Sequence, residues 1–298
     1  MGLLSAIRAR NASLLLSPAQ TAVVVGGTSG IGEAIARRMA RAGASVVLVG
    51  RNEAKANEII RGFEGNPEAK HAFVQCDCLL LESVYDCVKN RLKALVGTSG
   101  IHSLILSQGI TSISGRNETK EGLDQKMALH YFSRVAFIES LIPELEQAEG
   151  RVLSVFSAGV HSAFAGYRED PNLERSFSLK NAADSCGFYN DLALDQLSRE
   201  HPQLTFIHSA PGFVKTNWGS DLPWVLRGLV RTMQLFAKSP DDCAEFMCAP
   251  QLDPDLKPGF HLFNEHAGPA SPTSMHTDEA REFVTKFTRE VLSKHLSK

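Results

Sequence analysis

Short runs of Val, Ile and Leu alternate with helical patterns along most of the chain, and this alternation limits the fold more than any other feature. "AVVV" (22–25), "SVVLVG" (45–50), "HAFVQC" (71–76), "HSLILSQG" (102–109), "RVLSVFSAG" (151–159) and "LTFIHSAPG" (204–212) are near-continuous apolar segments. Strands apolar on both faces belong in a parallel sheet covered by helices on each side. Between them, helical periodicity runs through residues 31–42, "EAKANEIIRGF", "LLLESVYDCVKNRLKALV", "GLDQKMALHYFSRVAFIESLIPELEQ" and a segment near 180–200. The expectation is a doubly wound α/β fold. After Pro211 the alternation breaks. "DLPWVLRGLVRTMQLFA" (221–237) reads as an apolar helix, and another starts with Ser239 as N-cap and Pro240 at its first position. A last strand, "GFHLFN", and a helix from about Asp278 follow.

One sheet can hold 298 residues, and no Pro/Ser/Gly-rich linker divides them. The expected organisation is an N-terminal extension (1–20) and a single domain (21–298). With 31 Lys+Arg against 33 Asp+Glu, the formal charge of -2 argues against a nucleic-acid surface and for a small-molecule partner. The six cysteines lack C-x-x-C pairs, which fits free thiols in a reducing compartment and no metal. No segment approaches the ~18 apolar residues of a membrane span. The extension, apolar with Arg8 and Arg10 embedded, lacks the form of a secretory signal and is expected to pack on its own domain. A cytoplasmic protein without membrane contact is expected.

"GGTSGIG", Gly26 to Gly32, falls between the first strand and the first helix. Gly26 permits a sharp turn, Gly30 lets backbone approach a pyrophosphate, and Gly32 allows close helix–strand packing, while the helix N-terminus favours negative charge. The spacing resembles the short-chain dehydrogenase/reductase family, in particular its retinol-dehydrogenase-like and fungal metabolite-reductase branches, and the likeness runs from Thr21 to about Asn264. It implies a Rossmann fold and a nicotinamide cofactor held by Gly26, Thr28, Ser29, Gly30, Ile31 and Gly32. Asp77 matches the family's adenine-contacting Asp, and Ser107-Gln108-Gly109 stands at its Asn-Ala-Gly turn. "APGFVKT" brings Pro211, Gly212, Val214 and Thr216 to the nicotinamide end. The second strand ends "VGRNE", with Arg51 and Asn52 where an NAD-preferring site has an acid. A guanidinium there suits a 2'-phosphate, so NADP(H) is the expected cofactor, although Glu53 nearby leaves NAD open.

The resemblance also implies a Ser, a Tyr-x-x-x-Lys and an Asn for proton transfer. Ser157 matches. The tyrosine does not: of Tyr85, Tyr131, Tyr167 and Tyr189, only Tyr85 has a lysine four residues on, and Lys89 lies before the serine strand. Where Tyr-x-x-x-Lys is expected stand Phe177-Ser-Leu-Lys-Asn181 or, in the neighbouring register, Ser176-Phe-Ser-Leu-Lys180, and Met127 and His130 stand where the family often has Asn and Gly. One reading keeps hydride transfer, with Ser157, Lys180 and Tyr189 as candidate catalytic residues and water, His161 or one of these giving the proton. General acid help is worth ~10²–10⁴-fold, so its loss slows a reduction without abolishing it. The alternative is a nucleotide-binding scaffold or a non-redox isomerase or cyclase, in which Phe177 is core or pocket wall.

The family's substrate lid would span about 214–237 here, and its Leu222, Pro223, Trp224, Val225, Leu226, Leu229 and Val230 suit a bulky hydrophobic substrate, as in secondary metabolism. The same helix could instead meet a second subunit or a membrane. A homo-oligomer is left open, as Tyr131, Phe132, Phe137, Phe188 and Tyr189 suit either a subunit contact or the core.

Overall fold

The computed structural model describes residues 2–215 and 237–296. Seven strands form one parallel sheet in the order β3-β2-β1-β4-β5-β6-β7. They are β1 (Thr21–Val25), β2 (Ser45–Gly50), β3 (Ala72–Gln75), β4 (Ser103–Leu106), β5 (Arg151–Val155), β6 (Thr205–Ser209) and β7 (Gly259–Phe263). The order reverses between β1 and β4, which opens a crevice beyond their carboxyl ends, the place where ligands bind in such sheets.

Helices cover both faces. On one face, α1 (Leu3–Ser13), α2 (Gly30–Ala42) and α3 (Glu53–Arg61) lie with a helix at Pro240–Leu252, and Val24, Ile35, Leu48, Ile105, Ile207 and Met247 fill the core. The N-terminal helix is docked by Asn11, whose side-chain amide donates to both the Glu245 carbonyl and its carboxylate at 2.8 Å. On the other face, α4 (Leu81–Cys87) runs through a π-helical turn (Val88–Leu92) into α5 (Lys93–Val96). A second composite helix joins α6 (Gln125–Met127), a π-helical turn (Ala128–Phe132) and α7 (Ser133–Ser140), followed by α8 (Ile142–Gln147). Each run reads in sequence as one regular helix. The extra residue in such turns shifts side-chain register, often at functional sites, and the second turn carries His130.

The 22-residue α9 (Leu179–Glu200) follows, with Ser178 capping it by accepting from the Asn181 N–H. After α10 (Pro240–Leu252), whose Ser239 accepts from the Asp242 N–H, the C-terminal α11 (Asp278–Leu296) packs on α9. Tyr131, Phe132, Phe137, Phe188 and Tyr189 are all fully buried in this face's core. They fill the core and are not surface for a subunit contact. All six cysteines are free and buried. Among the described residues no helix is long and apolar enough to cross a membrane. Thr216 and the lid segment, apart from Val214, Lys215 and Ala237, lie outside the described residues.

Asp195 fixes the long helix against the C-terminal one. Its carboxylate accepts from Arg199 Nε at 3.1 Å, His276 Nε2 at 3.0 Å and Arg281 Nη1 at 3.3 Å. Burial alone would raise its pKa, but these bonds, with the charges of Arg199 and His276, hold it at about 2. A depressed carboxyl stabilises the fold above its unfolded pKa of 3.8 and loses that contribution as pH falls through 2. Asp195→Asn should therefore cost about 2 kcal/mol at neutral pH. In urea denaturation series the gap from wild type should narrow below about pH 4; a gap that does not change with pH would contradict this.

Candidate active site

A cleft of about 440 Å³ opens at the carboxyl ends of the central strands, within the size range of small-ligand sites. Gly26, Thr28, Ser29, Gly30 and Ile31 line one side, Arg51 and Asp77 the far end, and Ser107, Gly109, His130, Arg134, Phe156 and Pro211 the rest. The pairing of Val25 with Leu106 brings the glycine turn beside Ser107-Gln108. At Gly26 φ is +77°, and a Cβ there would lie 2.6 Å from the Gln108 nitrogen; at Gly32 it would lie 2.3 Å from the Gly26 carbonyl oxygen. Only glycine fits either place. Ser29, the N-cap of α2, makes no side-chain cap, so the first-turn N–H groups are left for a ligand in the cleft. This cradle, with a guanidinium at its far edge, fits a dinucleotide phosphate.

Four of the expected cofactor residues take other parts. Asn52 spends its side chain capping α3, accepting from the Lys55 N–H at 2.9 Å. Gly212 faces Glu265 and Lys238, and Val214 is buried in the core. Gly32 packs under the turn and does not face the cleft.

The candidate catalytic residues separate. Ser157 stands just past β5, next to Phe156 of the cleft wall. Tyr189 does not reach the cleft: it is fully buried, its hydroxyl donates to the Pro171 carbonyl at 3.1 Å, and burial pushes its pKa up. Lys180 is also misplaced, with its side chain 74% exposed and paired one turn on with Asp184. The helical register turns Tyr189 into the core, whereas Lys180 shares the face of Gly187 and Asp191 but lies two turns before Gly187, in the exposed first turn of α9. Phe177 packs against the core, under the Lys126 ammonium.

Around Ser157 lies instead an array that includes two residues, Asp191 and His208, not singled out from the sequence. His161 Nδ1 is 2.8 Å from the Ser157 carbonyl oxygen and 3.3 Å from its Oγ. His161 Nε2 is 3.2 Å from Asp191 Oδ2, an ion-pair distance off the line of a good hydrogen bond. The other carboxylate oxygen, Asp191 Oδ1, lies 2.5 Å from His208 Nδ1, and His208 Nε2 accepts the Ser157 N–H at 3.0 Å. Side-chain exposure is 1% for His161 and Asp191 and 0% for His208. Burial acts to lower the His161 pKa, but the bonding and charge of Asp191, the Ser157 carbonyl and the charge of Asp184 raise it overall. For His208 burial prevails over Asp191, and the pKa falls. The Asp191 carboxyl is lowered against its burial by the two imidazoles.

Gly187 makes room for this array. Mid-helix glycine costs roughly 1 kcal/mol against alanine. Here a Cβ would lie 2.4 Å from His161 Cγ and 2.5 Å from Ser157 Oγ. Gly187 and Asp191 are one helical turn apart on the same face. The sequence signals were a glycine inside a helical pattern and a histidine four residues after the serine. Asp191 and His208 carried no such signal.

The cleft's other wall is also polar and buried. Arg134, 1% exposed, donates to Ser154 Oγ (2.8 Å), the Val155 carbonyl (2.9 Å) and the Gln108 carbonyl (2.7 Å), and burial lowers its pKa to about 10. His130 Nε2 accepts the Ile110 N–H at 2.9 Å; burial, then the charges of Arg134 and Lys126, push its pKa down to about 3. A neutral His130 is therefore an acceptor and no acid at neutral pH.

A glycine cradle for a dinucleotide at the switch point of a parallel sheet, beside a serine with a polar array behind it, defines a nucleotide-dependent oxidoreductase fold. The family model "short chain dehydrogenase" matches residues 20–168, and the chain belongs to that family. Oxidoreductase AN1596 of Emericella nidulans is 36% identical over 218 residues, which are 72% of this chain and 64% of that protein, so the match spans under two thirds of the relative. Human polyprenol dehydrogenase is 26% identical over 262 residues, 83% of this chain and 78% of its own length. The fold is similar to that of an alcohol dehydrogenase from the archaeon Thermococcus sibiricus complexed with 5-hydroxy-NADP, with a TM-score of 0.59 at 20% identity over 82% of this chain and 95% of that one.

A Gly187→Ala variant gives a test with an informative sign. At an open helical site the change would stabilise by up to about 1 kcal/mol. Here it should destabilise by about 1–3 kcal/mol, because the His161 ring and Ser157 must shift. Denaturant midpoints decide, and a stabilised variant would show that the packing around Ser157 is loose.

Proposed function

We propose that the chain is an NADP(H)-dependent oxidoreductase that reduces a ketone or enone, or oxidises the corresponding alcohol, on a bulky apolar small molecule, taking its proton from a group other than tyrosine. The observation that carries this reading is the single cleft that joins the glycine cradle and Arg51 to the strand end bearing Ser157. When bound, the nicotinamide supplies or accepts hydride. The protein's part is to hold it: Gly26, Gly30 and the open end of α2 receive the pyrophosphate, Asp77 stands at the adenine side, and Pro211 at the nicotinamide end. Ser157 then hydrogen-bonds the substrate oxygen.

Arg51 supports NADP(H) over NAD(H), because it is exposed at the cleft edge at the tip of β2, where a 2'-phosphate would take charge-assisted bonds. The NADP derivative in the Thermococcus structure agrees with this choice. An apolar substrate is supported by the composition of residues 222–230, taken as a lid, and by the name of the polyprenol-acting relative. A place in secondary metabolism is part of the same proposal. Cytoplasmic residence and the division into extension, domain and lid belong to the same proposal.

Calorimetric titration with NADPH and NADH tests it. The wild type should prefer NADPH, and Arg51→Asp should weaken NADPH by about 1.5–3 kcal/mol, on the order of 10–100-fold, with NADH nearly unchanged. Equal losses for the two cofactors would remove Arg51 from the phosphate site, and failure to bind either would overturn the reading.

A further inference from the structure

The two histidines around Asp191 meet different neighbours at their ring nitrogens. The Ser157 carbonyl, 2.8 Å from His161 Nδ1, calls for a proton on that nitrogen. The Asp191 carboxylate, 3.2 Å from Nε2 though not aligned for a hydrogen bond, favours the imidazolium by its charge. His208 meets an acceptor at Nδ1, Asp191, but a donor at Nε2, the Ser157 N–H. It is therefore neutral, with its proton on Nδ1. The same nitrogen, His161 Nδ1, lies 3.3 Å from Ser157 Oγ, and Ser157 adjoins Phe156 of the cleft wall. The His161 side chain is 1% exposed.

We propose that His161 delivers the proton of carbonyl reduction through Ser157, with Asp191 and His208 as positioning residues, so that this array takes the place of the missing tyrosine and lysine. The inference rests on the oxidoreductase reading above. As the carbonyl carbon takes hydride from bound NADPH, the electron pair of the C=O π bond moves to oxygen. Ser157 Oγ gives its proton to that oxygen and takes one from His161 Nδ1. NADPH ends oxidised, the carbonyl ends as an alcohol, and His161 ends neutral until solvent reprotonates it. In alcohol oxidation every transfer reverses. Gly187 belongs to the device because any side chain there would push His161 off Ser157.

The groups that set the proton's affinity come from several elements. Asp191 and Asp184 face His161 from α9, His208 from β6, and the Ser157 carbonyl from its own loop. Asp184 is itself occupied by the Ser162 N–H and Lys180, and the charge of Arg134 bears on His208. Of these groups Asp191 alone lies against both rings, 2.5 Å from His208 Nδ1 and 3.2 Å from His161 Nε2.

Two measurements on the full chain test the relay. Nitrogen-15 NMR of the histidine rings, without cofactor, should show His161 protonated at both nitrogens at neutral pH and His208 at Nδ1 alone. NADPH oxidation with a panel of bicyclic and aryl ketones should slow about tenfold per pH unit once pH passes the His161 titration seen by NMR. In His161→Gln this limb should vanish and kcat fall about 10²-fold or more, while NADPH affinity stays within about twofold. Asp191→Asn should move the limb to lower pH, and if that variant fails to fold the wild-type spectrum and His161→Gln suffice. A neutral His161 in the spectrum, or ketone reduction with an unchanged profile in His161→Gln, overturns the relay and leaves the oxidoreductase reading standing. A chain that binds NADPH and reduces no ketone overturns both.

Discussion

Asp191 is a carboxylate buried to 1% exposure, and the arrangement of the site depends on how its charge is satisfied. A carboxylate this far from water stays ionised only where donors surround it. His208, from β6, donates to one of its oxygens, and the His161 ring, from the loop after β5, stands 3.2 Å from the other. Meeting that requirement fixes the tautomer of His208 and the backbone position of Ser157 together, and it favours the protonated form of His161. Removing one partner of such a group is costly, because the other is left buried and unpaired.

The sheet makes the convergence possible. β5 and β6 pair in register from Arg151 with Thr205 to Val155 with Ser209, so Ser157 lies just beyond the strand that carries His208. α9 crosses this end of the sheet and is pinned to the C-terminal helix by Asp195. That attachment holds Gly187 and Asp191 at the height of the serine. The dinucleotide cradle is built separately, at the turn between β1 and α2, and meets the serine's strand only in the cleft. Loss of the tyrosine at one end therefore leaves the other untouched, which accounts for an intact glycine loop beside an altered proton path.

Much of the fold was legible in the sequence, because apolar strand runs and the glycine turn are local signals. The seven strands, the long helix near 180–200 and the cap at Ser239 need no long-range information. The π-helical turns at Val88–Leu92 and Ala128–Phe132 were not legible, since one extra residue in a helical turn hardly disturbs an apolar pattern. At the site the cradle residues line the cleft and Ser157 stands beside it, whereas Lys180 and Tyr189, assigned by nearness in sequence to the lost motif, lie elsewhere. Their places, one on the surface and one in the core, depend on where α9 starts and how it is rotated, because Lys180 falls in its exposed first turn and Tyr189 on its inner face. Asp191 and His208 lie 34 and 51 residues beyond Ser157, and only the folded chain shows that they act on one serine.

The account stands or falls on whether hydride still moves in a site without its tyrosine. The direct test is to supply NADPH deuterated at the transferable nicotinamide position and to analyse the products of a hydrophobic ketone panel by mass spectrometry. The account predicts deuterium on the carbinol carbon of the alcohol formed. Tight NADPH binding with no deuterium passed to any acceptor would contradict it and would mark the chain as one that keeps the nucleotide as structure alone.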